Sequence, residues 1–362
     1  MAYRHLSFIH PHRHRRLLQA LRQSGGVWPQ EYEPLRQMDP EQWPRPFTTC
    51  DSLESLREYA QLLPQARFEL TLAHSKLSAR KVEKLRESEA LSYLCTLDLE
   101  SCELDDAAMA RLLDTPHLHN LRSLSLRGNT IGPLTQAALF EAAFTLSELD
   151  LSDCDHSAPL NLFSWVQLPG LKALHMSRCG LGTTHIVGMP AGDALSSLES
   201  LTLDDNPLGT QGCMALSYCE PLSQLKILSL KHTNMSNASV RVLANTPYLL
   251  GLESLRMDHN QLYDEGCTRL IERGFEQLSY LDVSFNRLGN GTLQALEHAP
   301  SLPSLKRLHM RHNMITDRGA LSMTRASLMD QLTLLDLSGN AISQRVRELL
   351  IQRLPEGARG AF

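Results

Sequence analysis

No stretch of the 362-residue chain approaches the roughly 18 consecutive apolar residues that a membrane-spanning helix needs, so no transmembrane helix is expected. Aromatic residues make up only 6% of the sequence, and neither sign of charge dominates: 35 Lys and Arg stand against 40 Asp and Glu, a net charge of -5 that favours neither nucleic acid nor an anionic membrane. The eight cysteines include no Cys-x-x-Cys pair, and no Cys/His run has zinc-finger spacing. That usage excludes a disulfide framework and points to a reducing compartment. Gly-rich phosphate loops, nucleophile elbows and HExxH motifs are missing, so a recognisable catalytic centre is excluded and no cofactor or metal is expected. The first residues, Met1 to His12, lack the apolar core of a secretory signal peptide, which predicts a cytoplasmic chain.

What the chain has is repetition. One phrase recurs eleven times between Arg67 and Ile342, as in Leu94, Leu97, Leu99, Cys102 and Leu104, or Leu198, Leu201, Leu203, Asn206 and Leu208. Its central leucine falls at Leu70, Leu97, Leu124, Leu149, Leu174, Leu201, Leu228, Leu255, Leu281, Leu308 and Leu335, in steps of 25 to 27 residues. The Leu-x-Leu alternation of period two sends both leucines to one face of a short strand. A polar ninth residue ends the strand and is expected to bond to the backbone of the next turn. Asn129, Asn206, Asn260, Asn286, Asn313 and Asn340 fill that seat; Cys102, Cys154 and Cys179 fill it elsewhere, with Ser75 and Thr233 as weaker substitutes. Cys50, Cys95 and Cys219 have no assigned seat.

This LxxLxLxxN/CxL phrase resembles that of the leucine-rich repeat family. The resemblance implies an α/β right-handed solenoid, a horseshoe of about eleven repeats with a parallel sheet on the concave face and helices on the convex face. The back of each repeat carries two apolar columns three residues apart, one side of a helix: Val82, Met109, Cys213, Val240, Cys267, Leu293 and Ala320, then Leu85, Leu112, Leu139, Leu216, Leu243, Leu270, Leu296 and Met323. Asp105 and Asp106, Ser236 and Asn237, and Thr316 and Asp317 suit helix starts. The Gly-Ala or Gly-Cys helical signature, seen at Gly212, Gly266 and Gly319, resembles the ribonuclease-inhibitor type, whose best known members are cytosolic.

The expected organisation is an N-terminal helical cap with a Pro-rich loop over residues 1–66, the repeats over 67–342, and a capping helix and tail over 343–362, since the ends of a stack otherwise expose leucine. The cap is read as a helix from Arg13 to Gln23 and a second from Ser52 to Leu63 with Leu53, Leu56, Tyr59 and Leu62 or Leu63 inward. The closing helix runs from Ser343 to Leu354, with Val346, Leu349 and Leu350 against the stack. The start of the chain holds Arg4, Arg13, Arg15, Arg16 and Arg22 beside His10, His12 and His14, without an acid in the first thirty residues. It reads as a solvated arm, an export signal or an anion-binding segment. Between Cys154 and Leu198 two short repeats lack clean helical columns.

Function is expected on the concave face, at the third, fifth, seventh and eighth positions of each repeat. There Asp98, Glu100, Glu148, Asp150, Asp153, Asp204 and Asp205 form an acidic patch. Arg256, Asp258, His259, Tyr280, Asp282, Phe285, Arg307, His309, Arg311 and His312 form a basic and aromatic one, and Arg, Tyr and Phe are the types that anchor protein interfaces. The partner expected is a protein, with no nucleic acid and no membrane, bound by a monomer; a homodimer is the second reading. Asp282 and His309, expected about 5 Å apart on adjacent strands, make a surface pair rather than a catalytic dyad. The chain is thus read as a non-enzymatic interaction module. Its likeness to stand-alone bacterial repeat proteins implies a scaffold or an effector delivered into a host cell. The alternatives are activation of a small GTPase, a role the ribonuclease-inhibitor type offers, and self-assembly.

Overall fold

Each leucine phrase forms a short parallel strand in the computed structural model, which describes residues 17, 19–24, 27–37, 48–156, 168–182, 185, 195–298 and 302–362. The chain falls into two compact units, Met1–Asp150 and Leu151–Phe362. In the first, β1 (Thr49–Cys50), β2 (Phe68–Thr71), β3 (Leu94–Asp98), β4 (Ser123–Ser125) and β5 (Glu148–Asp150) pair side by side in chain order. In the second, β6 (Ala173–His175), β7 (Ser200–Thr202), β8 (Ile227–Ser229), β9 (Ser254–Arg256), β10 (Tyr280–Asp282), β11 (Arg307–His309), β12 (Leu334–Asp336) and β13 (Arg359–Ala361) likewise pair in chain order. Register is set by the leucines: Leu174, Leu201, Leu228, Leu255, Leu281, Leu308 and Leu335 lie opposite one another, all buried. A one-residue slip would turn that whole row outward, at about 1.5–3 kcal/mol per leucine. Parallel-strand α/β repeats are therefore the fold class.

Behind the strands stand α1 (Leu53–Leu62), α2 (Ala79–Arg86), α3 (Asp106–Leu113) and α4 (Pro133–Glu141) in the first unit. The second has α5 (Gly209–Ser217), α6 (Asn237–Ala244), α7 (Asp264–Arg273), α8 (Asn290–Glu297), α9 (Asp317–Met323) and α10 (Gln344–Arg353). Both apolar columns are buried as expected. Ser52 caps α1, where Ala60 is buried and Tyr59 is tilted against the Phe68 ring. Within α10, Val346 and Leu350 are buried but Leu349 is 40% exposed, against expectation, because the adjacent β13 strand rather than a broad helix face closes that end. The sheet likewise extends one strand beyond the repeats at its start, where Cys50 lies opposite Leu70. Residues 13–16 and 18 of the expected first helix, His10, His12 and His14, and most of the short repeats' backs lie outside the described residues; Leu17 and Leu21 are buried.

The ninth-position asparagines bond to the preceding repeat rather than the next. Asn129 Oδ1 accepts from the Cys102 and Leu104 amides while Nδ2 donates to the carbonyls of Leu99 and Leu126. Asn206, Asn260 and Asn340 repeat the pattern. Facing backward suits the amide, because the preceding turn leaves two N–H groups unpaired where its strand bends. The Cys102 and Cys179 thiols donate to the Leu72 and Leu151 carbonyls.

A second ladder joins the helix starts. The first residue of a helix, rather than capping its own helix, reaches across to the next repeat. Asp106 accepts from the amides of Gly132, Leu134 and Thr135; Asn237 from Tyr263; Asp264 from Gly289, Gly291 and Thr292; Asn290 from Thr316 and Gly319; Asp317 from Ser343. Helix N-termini favour anions and acceptors. Burial works against the Asp106 carboxylate, but the bonds from Thr135, Leu134 and Gly132 hold its pKa below the usual range. The Gly of the helical signature follows from this contact: a Cβ on Gly319 would lie 2.5 Å from Asn290 Oδ1, and one on Gly266 3.0 Å from the Asn237 Cα.

The eighth position is left-handed in every repeat: His74, Ser101, Gly128, Asp153, Arg178, Asp205, His232, His259, Phe285, His312 and Gly339 all have φ between 50° and 71°. Glycine adopts this backbone freely at Gly128 and Gly339 alone; the other side chains hold it at about 1–2 kcal/mol each. Phe285 is the only large apolar residue among them.

Three measurements check this account. Asp264→Ala strips an acceptor from the start of α8 and is expected to cost about 1–2 kcal/mol in urea unfolding. At position 285 the usual order of small residues should reverse, with Phe285→Gly more stable than Phe285→Ala by about 1 kcal/mol; equal midpoints would contradict the left-handed backbone. Burial pushes the Cys50, Cys213 and Cys267 thiols up to about 12 and those of Cys102 and Cys219 to about 11. Unfolded thiols ionise first, so the folded chain keeps protons that the unfolded one loses, and stability should fall as pH rises from roughly 8.5 to 11. Thermal melts across that range should show the decline, with a shallower slope in Cys213→Ala, Cys267→Ala.

Candidate functional site

Side chains at the third and fifth positions project from the strand face opposite the leucines, and those at the seventh and eighth from the bend that follows. In the second unit Ser254, Tyr280, Arg307 and Leu334 share one row, and Arg256, Asp282, His309 and Asp336 the next. The eighth-position row brings His259, Phe285 and His312 together. The Phe285 ring is sandwiched between the two imidazoles, at 4.2 Å from His259 and 4.5 Å from His312, both stacked. Gly339 ends the column, since a Cβ there would lie 2.6 Å from the His312 ring. The left-handed bend makes the stack possible: it aims one side chain per repeat along the array, at a repeat spacing near the thickness of packed rings.

Beside that column Arg307 lies over the Tyr280 ring at 4.8 Å, and Arg311 over Phe285 at 5.0 Å. Tyr280 is tilted against His309 at 5.2 Å. Arg256 Nε approaches Asp258 Oδ1 at 3.7 Å, too far for a hydrogen bond, and both atoms are buried without one. The carboxylates are committed underneath. Asp258 Oδ2 lies 2.8 Å from His259 Nδ1. Asp282 accepts from the Ser284 amide and, at 3.4 Å, the Tyr280 hydroxyl. Asp336 accepts from Ser338, with His309 Nδ1 at 3.6 Å. Asp282 and His309 do stand opposite each other on β10 and β11, but His309 turns toward Asp336. Burial and the Asp282 carboxylate raise the Tyr280 pKa, keeping the phenol a neutral donor.

The structure thus brings all ten residues of the expected basic and aromatic patch onto three adjacent repeats of one unit. The seven acidic ones are divided: Asp98, Glu100, Glu148 and Asp150 belong to the first unit, Asp153, Asp204 and Asp205 to the second. They are also engaged. Asp98 accepts from the Glu100 amide, Glu100 faces Arg127 at 3.6 Å, and Glu148 accepts from Ser123. Arg178 pairs with both Asp153 and Asp205, His232 approaches Asp205 at 2.8 Å, and Asp204 accepts from Ser229 and Lys231. Reading one position at a time along the sequence missed the ring column, though His259, Phe285 and His312 recur at intervals of 26 and 27 residues. Among the described residues no helix is long and apolar enough to cross a membrane, and no group of three His, Cys, Asp or Glu is placed to hold a metal.

Comparison with known proteins agrees with this architecture. The family profile described as Leucine Rich repeat matches residues 117–134, 194–217 and 301–323. The ribonuclease inhibitor of Mus musculus is 28% identical over 311 residues, covering 72% of this chain and 67% of the inhibitor. Podocan-like protein 1 of Homo sapiens is 30% identical over 242 residues, which is 60% of this chain but only 41% of that one. This chain therefore spans about half the length of the curated relatives it matches. Among solved structures, the TLR13–ssRNA13 complex superposes with a TM-score of 0.52 at 22% identity, over 82% of this chain and 39% of that one, a likeness of fold. The repeated phrase, the strand-and-helix units built on it and these relatives together support a leucine-rich repeat protein of the ribonuclease-inhibitor type.

Proposed function

We propose that this interaction module binds a protein partner on the outer strand face of its second unit, centred on Arg256, Tyr280, Phe285, Arg307, His309 and Arg311. One observation carries the reading: two half-buried aromatic rings lie under two exposed guanidiniums on two adjacent strands and the bends that follow them. Such rings bring large area at small entropic cost because stacking already fixes their rotamers. Phe285 holds a conformation that costs stability and that glycine would relieve, and strain of this kind collects at functional sites. The mouse relative is by name an inhibitor of another protein, in keeping with recognition without chemistry. A preformed face of rigid strands loses little freedom on docking.

The test is affinity capture with the wild-type chain, with Tyr280→Ala, Arg307→Glu, and with Arg269→Gln, Arg273→Gln on α7 as control. Proteins retained by the wild type and the control are expected to be lost by the first variant, whose two changes together should weaken binding by about 3 kcal/mol or more. Retention by all three baits would refute the placement. Light scattering on the same samples separates a foreign partner, which leaves the free chain monomeric, from self-assembly, in which a concentration-dependent dimer disappears in the first variant.

A further inference from the structure

Resting on that reading, we propose that the face recognises an extended acidic segment of its partner, with two carboxylates flanking an apolar side chain. The arginines carry the argument. Several arginines elsewhere in the second unit, Arg178, Arg241, Arg269, Arg325 and Arg353, pair with a carboxylate of the chain itself. Arg307 and Arg311 do not; they are exposed, and their contacts are the Tyr280 and Phe285 rings. A guanidinium held over a ring by cation–π attraction still has N–H groups to spare, which suit bidentate bonds to a carboxylate. The acids that would quench them, Asp258, Asp282 and Asp336, accept from Ser284, Ser338 and Tyr280 or face His259 and His309 instead.

Spacing narrows the ligand. Arg307 and Arg311 are the third and seventh residues of one repeat, four apart, at most about 13 Å along the chain. Two acids four residues apart in an extended partner match that span, and the residue midway between them falls at the fifth position, beside His309 and the Tyr280 ring tilted against it. A nucleic acid would offer the same edges a phosphate, but it would also meet the Asp153 and Asp205 carboxylates of the same eighth-position row and a chain of net charge -5.

The probes are three fluorescein-labelled ligands read by anisotropy: a peptide with the pattern Glu-Gly-Trp-Gly-Glu, its counterpart with Lys for Glu, and a single-stranded oligodeoxynucleotide. The Glu peptide should bind saturably, weaken about tenfold or more in Arg307→Gln, Arg311→Gln, keep its affinity in Arg269→Gln, Arg273→Gln, and weaken in about 0.5 M NaCl. Thermal melting confirms that the variants fold. Tighter binding of the Lys peptide or the oligonucleotide, equal binding of the Glu peptide to both variants, or no binding of it to the wild type overturns the acidic partner. The docking reading is judged separately: binding of any peptide lost on Tyr280→Ala, Phe285→Ala while insensitive to Arg307→Gln, Arg311→Gln sinks the acidic ligand and leaves the surface standing.

Discussion

The backward-facing amide of the ninth-position asparagine is the contact on which the array depends. A parallel stack buries its leucines without difficulty, because each row simply continues the one before it. Its bends are the hard part, since every repeat breaks the strand ladder at the same place and leaves donors and acceptors inside the core. An asparagine side chain offers both functions in one plane, and Asn206, fully buried, uses all of them. Where a thiol stands instead, as at Cys102 and Cys179, it donates to the preceding repeat at Leu72 and Leu151, while the amides of its own repeat are served by the following asparagine.

The same bend makes the surface. By turning the eighth residue left-handed it aims one side chain per repeat along the array, so that chemistry placed there forms a continuous column. In the second unit the column begins as an ionic ladder through Asp153, Arg178, Asp205 and His232 and changes to stacked rings at His259. The scaffold imposes the geometry, and the sequence chooses which interaction runs down it.

The strands, their register and the helical columns were legible in the sequence because each is a one-dimensional period: a leucine at every second residue, an apolar residue at every third. That the ten residues of the basic and aromatic patch fall at matching positions of adjacent repeats was legible for the same reason. What the period does not carry is direction. Nothing local tells whether Asn129 turns forward or backward, or that Asp106 serves the Pro133–Glu141 helix rather than its own, because both partners lie one repeat away in either reading. Nor does it carry the ionic state of the acidic positions. Asp153 and Asp205 read as free carboxylates until the structure brings Arg178 between them. The closing strand Arg359–Ala361 has no leucine phrase and left no signal at all.

The two ladders point opposite ways along the chain: asparagines hold the repeat before them, while the first residues of the helices hold the repeat behind. An end that frays therefore does different damage on its two sides. Peeling repeats from the C-terminal side removes Asn340 and unpairs bend amides in the repeat it leaves. Peeling from the N-terminal side instead uncovers a helix start, as release of Asp264 would at Gly289 to Thr292. Interior repeats, clasped in both senses, are the segment from which slow hydrogen exchange should spread outward, and the ring column lies among them.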